Sequence, residues 1–189
     1  MITAFDQHRE AVLAFLRGHA ADRTDHIFGD LLTHLLGTER LVREWGGQDL
    51  LALAALGHAT YGTDGFEPHI LGLGDRRLLA DVIGAEAEAL VYFYASCDRD
   101  DFYLQLCALG TTVTDLHFRD RFTGQPVPIT ADHITRFVNL TYANEAELAA
   151  SSPGGPAEWT WLADFCRDTR RWASPLFFEG AAALVHVDA

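Results

Sequence analysis

Two apolar segments separated by a pair of glycines constrain this chain more than any other feature. From His26 to Trp45, Leu31, Leu32, Leu35, Leu36, Leu41 and Val42 fall at helical spacing. That spacing lines one face of an α-helix. Gly46 and Gly47 then stop it. The next segment, Gln48 to Tyr61, is apolar on most of its sides. A helix of that kind belongs at the centre of a helical core.

The rest of the chain follows the same pattern. Phe5, Val12, Phe15 and Leu16 predict an amphipathic helix over about 4–20. A glycine-rich connection, "GTDGFEPHILGLGD", runs from 62 to 75 and holds His69; it can serve as a lid. "DRRLLADVIG", capped by Asp75, "AEAEALVYFYASC" and "DFYLQLCALG" read as three further helices. From Thr111 to Thr130, β-branched residues and a Thr-Gly turn signal predict a small hairpin excursion. Helix returns over about 131–150, and "SSPGGP" is a linker. A last helix is expected over about 157–172, with Trp159, Trp161, Leu162, Phe165 and Trp172 as its apolar face, and the tail packs back on the body. The expected architecture is all-α: a single-domain helical bundle, residues 1–189, with a small β-hairpin excursion.

Composition removes several functions. All 14 basic residues are arginine, against 27 acids, for a net charge of −13. Without lysine there is no Schiff base for pyridoxal phosphate or class I aldolase chemistry. A P-loop for ATP is excluded for the same reason. The acidic balance opposes a phosphate backbone, so nucleic acid is not an expected partner. Cys97, Cys107 and Cys166 match no zinc spacing and form a poor disulfide framework. The first residues read as an amphipathic helix rather than a signal peptide, and no apolar run is long enough to cross a bilayer. The expected setting is the cytoplasm, with no membrane partner.

His26, His34 and His58 are the candidate chemical groups. On one helix, His26 and His34 would sit about 80° apart, with Asp30 between them on the same stripe. His58 closes the following helix and faces His34 if the two helices are antiparallel. Imidazoles from neighbouring helices are a common way to hold zinc, iron or manganese, and three with an open fourth position make a catalytic-type site. Without metal, His58 and Tyr61 form an acid–base pair, with the phenol as donor to a developing oxyanion. Arg76 and Arg77 follow the glycine-rich loop and suit a carboxylate or phosphate on a small-molecule substrate.

"LLTHLLGTERLVREWGG" followed by "LALAALGHATYGT" resembles the opening of an HD-like domain. More narrowly it is similar to an uncharacterised HD-like family with a His-x7-His-Leu, Gly-Thr, Trp-Gly and His-x-x-Tyr-Gly-Thr pattern. Those positions are His26, His34, Leu35, Gly37, Thr38, Trp45, Gly46, His58, Tyr61, Gly62 and Thr63. The match covers about a fifth of the chain. The resemblance implies an all-helical fold and a superfamily of phosphohydrolases, nucleotide hydrolases and diiron oxygenases. It implies metal ligands at His34 and His58; beside them the residues offer His26 as a third ligand and Asp64 or Asp30 as a carboxylate. The Asp expected after His58 is Ala59, and the late Asp falls on Asn144, which joins Arg76 and Arg77 as a substrate-binding candidate.

The expected function is a small-molecule enzyme on a degenerate HD-like domain. One divalent metal would assist hydrolysis or oxidation of a small anionic metabolite. The alternatives are a metal-free His/Tyr acid–base enzyme and a non-catalytic binding or interaction module whose metal site has decayed. A homodimer is a further option, its interface on the Trp-rich last helix.

Overall fold

The computed structural model describes residues 3–108 and 113–187. Most of these are helical, in nine α-helices with two small two-stranded sheets among the described residues. The chain divides into two compact units, Met1–Ala95 and Ser96–Ala189.

The first unit begins with α1, Ala4–Gly18, which carries a capping box between Thr3 and Asp6 and buries Phe5, Val12, Leu13 and Leu16. A hairpin follows, β1 at Asp25–His26 and β2 at Gly29–Asp30, pairing Asp25 with Asp30 and His26 with Gly29. Then come α2 at Leu31–Glu44, α3 at Asp49–Gly57, α4 at Arg76–Ile83 and α5 at Ala85–Ala95. α3 touches α1, α2, α4 and α5. This explains why its sequence is apolar all round: every residue from Leu51 to Gly57 is buried. At Gly57 a Cβ would lie 3.2 Å from Val91 Cγ2 and 3.4 Å from Ile83 Cδ1, so the missing side chain lets the helices approach closely.

The expected helix over 26–45 begins five residues late. Gly29 has φ +147°, outside the helical region. Asp30 caps α2 instead, accepting from Thr33 N at 2.9 Å and Thr33 Oγ1 at 2.7 Å. Those bonds hold the Asp30 carboxyl below the usual carboxylate pKa, the Thr33 hydroxyl contributing most. His26 therefore lies on a strand, not on the helix of His34. α3 likewise ends at Gly57 rather than Tyr61, and residues 58–61 form turns closed by Thr60 N to Gly57 O and Gly62 N to Ala59 O.

The second unit holds α6 at Arg99–Ala108, a hairpin of β3 at Phe118–Arg119 and β4 at Pro126–Val127, then α7 at Ala131–Ser151, α8 at Thr160–Thr169 and α9 at Pro175–Leu184. The expected hairpin is present, its bend held by Asp120 accepting from Phe122 N and Thr123 N. Residues 109–112, the end of one expected helix and the start of the expected excursion, lie outside the described residues. α7 packs on α8 and α9. The expected helix over 157–172 is cut to α8, flanked by 3-10 turns, and buries Leu162, Phe165, Cys166 and Thr169. Trp161 points outward instead of lining that face. No helix among the described residues is long and apolar enough to cross a membrane.

Candidate functional site

α2 and α3 bring two of the predicted histidines together. His34 Nε2 stands 3.2 Å from His58 Nε2, and both rings are buried, 4 % and 1 % exposed. His34 projects from the second turn of α2, and His58 is the C-terminal cap of α3. His58 Nδ1 lies 2.7 Å from the carbonyl oxygen of Ala55. A carbonyl only accepts, so Nδ1 carries the hydrogen. Neutral His58 is then bare at Nε2, and the Nε2–Nε2 bond takes its proton from His34. The hydrogen-bond network thus assigns one donor and one acceptor nitrogen to a single buried point.

His26 reaches the same place from the hairpin. Its ring stacks on His34 with centroids 4.1 Å apart and planes 15° from parallel. Phe66 meets His26 edge-on at 4.5 Å, and Tyr94 meets His58 edge-on at 5.7 Å. The hairpin, rather than a shared helical stripe, gathers the three histidines, and Asp30 serves as the helix cap.

The three-histidine metal set does not fit this arrangement. An imidazole ligates through a lone pair lying in its ring plane. Two rings stacked face to face cannot direct those lone pairs at one ion, so His26 and His34 are not joint ligands. Among the described residues no group of three or more His, Cys, Asp or Glu side chains is placed to hold a metal ion. A catalytic zinc site uses three protein ligands.

Tyr61 belongs to a different cluster. Its hydroxyl donates to Glu88 Oε1 at 2.8 Å. Arg76 grips the same carboxylate through two nitrogens, Nε to Oε1 at 2.6 Å and a terminal nitrogen to Oε2 at 2.8 Å. The guanidinium also lies 3.7 Å over the Tyr92 ring. Burial, then the hydrogen bond to the Glu88 carboxylate, push the Tyr61 phenol well above its ordinary pKa. Glu88 raises that of Arg76. Tyr61 is thus a held neutral phenol engaged with Glu88, and Arg76 is paired with an internal carboxylate. Arg77 has a 91 % exposed side chain that lies 3.8 Å from Asp81.

Glu88 is the member of this cluster that sequence reasoning missed. The signal was present: it is the one acid in the run Ala87 to Ala95. A carboxylate amid that much apolar sequence must find a partner when buried. His69, expected in the loop, is exposed and bonds only locally, Nδ1 to Glu67 O at 3.3 Å. Asn144 belongs to the second unit, on α7, where its amide donates to Glu145 Oε1 at 2.9 Å.

Two grooves on the described residues lie elsewhere. One, of about 610 Å³, is lined by residues of α1 and α2 including Arg9, Glu39 and Arg43. The other, of about 390 Å³, is lined by Val113, Leu116 and the β3–β4 hairpin. Neither is lined by His34 or His58.

A comparison with curated proteins gave no match. A family profile described as a domain of unknown function (DUF6817) matches residues 15–99, a stretch that contains His26, His34, His58, Tyr61, Arg76 and Glu88 but not Asn144.

Proposed function

We propose that the first unit carries a small-molecule enzyme of degenerate HD-like type that works by proton transfer at the His34–His58 pair. What carries the reading is the 3.2 Å contact between the two Nε2 atoms together with the 2.7 Å bond from His58 Nδ1 to Ala55 O. One nitrogen offers a proton while its neighbour accepts one. A substrate inserted between them gives up a proton to His58 and receives one from His34. Hydrolysis and tautomerisation both need that exchange. Imidazole has the right basicity for it near neutral pH. The motif shared with the HD-like pattern, His34 and His58 above all, supports placing the reaction here. With Arg76 held by Glu88, the reading assigns no anion clamp, and the substrate is a small polar metabolite. Three thiols, Cys97, Cys107 and Cys166, suit a reducing cytoplasm.

Burial of both rings favours a second reading, a binding module whose former reactive site is sealed. A bound divalent ion is the third. Two ligands 2.0–2.1 Å from a tetrahedral ion stand roughly 3.3 Å apart, close to the separation of the two nitrogens.

Elemental analysis of chelator-free protein and turnover assays on a panel of small esters, amides and enolisable ketones separate these readings. The proposal expects no stoichiometric metal, and turnover that falls by about 10²–10⁴ in His34→Gln and His58→Gln. Stoichiometric iron, manganese or zinc that vanishes in the same variants overturns it. Metabolite binding without turnover gives the binding module.

A further inference from the structure

The histidine pair is buried, yet the ring stacked on His34 from the hairpin, and the ring that meets that one from the loop, are only half-buried. His26 and Phe66 both have partial exposure; the hairpin is mostly open to solvent, and the loop is exposed at Gly65 and over 67–69. They form the layer between solvent and the pair. We infer that the β1–β2 hairpin and the loop 62–71 are a two-part lid that opens over His34 and His58. This rests on the reading of that pair as a reactive site.

The lid is lightly built compared with the core beneath it. Each strand of the hairpin is two residues long, and the segment just before it is tied to α2 by Leu31 N to Thr24 O and to the turn after α1 by Thr24 Oγ1 to Ala20 O. Ile27 and Phe28 at its tip are 55 % and 39 % exposed, so little apolar burial holds it down. The loop is closed by the pairing of Thr63 with Phe66 and anchored where Ile70 N and Leu71 N both donate to Thr60 O. Gly29, Gly62 and Gly65, with φ of +147°, +72° and +84°, stand at the bends. The halves meet where His26 packs edge-on against Phe66. Helix α3, by contrast, is buried along Leu51–Gly57. Few buried apolar contacts and exposed backbone bonds place a segment at the low-stability end of a fold.

Hydrogen exchange on the full chain, read by mass spectrometry at neutral pH, tests this together with site-resolved carbethoxylation of His34 by diethyl pyrocarbonate. Peptides covering 24–31 and 62–71 are expected to exchange at least about 100-fold faster than α3, with little dependence on low urea, because local opening exposes little surface. His34 is expected to react without global unfolding, and several-fold faster in Phe66→Ala than in wild type. Exchange of both segments at the rate of α3 overturns the lid. So does exchange of the segments with His34 unreactive. Neither outcome depends on turnover at the histidine pair, so the lid and the reactive pair fail separately.

Discussion

His34 and His58, 24 residues apart in sequence, share one hydrogen bond between like atoms, Nε2 to Nε2 at 3.2 Å. Two identical nitrogens can bond only if their protonation differs, and the carbonyl of Ala55 decides which is which. The pair is therefore polarised by the backbone of α3.

Replacing either histidine by alanine should destabilise the protein as well as the site. The surviving ring keeps a buried nitrogen without its partner, a loss of about 1–3 kcal/mol. Urea unfolding measures it. The double variant should cost less than the sum of the two single ones, because the bond they share is lost only once.

The Tyr61–Glu88–Arg76 cluster should behave as one unit. Glu88→Ala leaves a guanidinium and a phenol unpaired. Arg76 is about 38 % exposed, so water blunts the loss to about 1–3 kcal/mol, below the value for a fully buried pair. Tyr61→Phe should cost about 1 kcal/mol, and the double variant should show strong coupling. Thermal unfolding of the cycle tests this.

Alkaline titration offers an independent check on Tyr61. Its folded pKa lies above the ordinary 10.0, so its stabilising contribution is complete below that value and is lost as pH rises beyond it. Ultraviolet titration should show wild type retaining one more un-ionised phenol than Tyr61→Phe accounts for in the ordinary range.

Gly62→Ala should disturb the cover of the site. At φ +72° a side chain is strained, and its Cβ would lie 3.1 Å from the carbonyl oxygens of both Phe66 and Glu67. A loss of about 1–3 kcal/mol is expected on unfolding.

Asp30→Ala should loosen α2 by about 1 kcal/mol. Because the Asp30 pKa is lowered in the fold, its contribution is present above the unfolded value of 3.8 and disappears as pH falls through the folded one. The gap between wild type and variant should therefore close in acid, as pH-dependent circular dichroism would show.

Helices were legible wherever apolar spacing was long and regular. α7 and the buried face of α2 follow directly from it, and the all-round apolar character of α3 marks its central place. Boundaries were less so. Gly29 and Asp30 turn the start of α2 into a hairpin because a positive φ and a side-chain cap outweigh the helical spacing around them. The convergence of His34 and His58 was visible from two helices and a short loop. The roles of Tyr61 and Arg76 were not, since both depend on Glu88, which arrives from a third helix. No local pattern in "HATYGT" or "DRR" points to that partner.

Long-range ¹H–¹⁵N correlation spectroscopy of the histidine rings in the full chain tests the central claim most directly. The account predicts, in metal-depleted protein at neutral pH, His58 protonated at Nδ1 with Nε2 bare and His34 protonated at Nε2. Finding both rings in one tautomer, or His58 carrying its proton on Nε2, would contradict it.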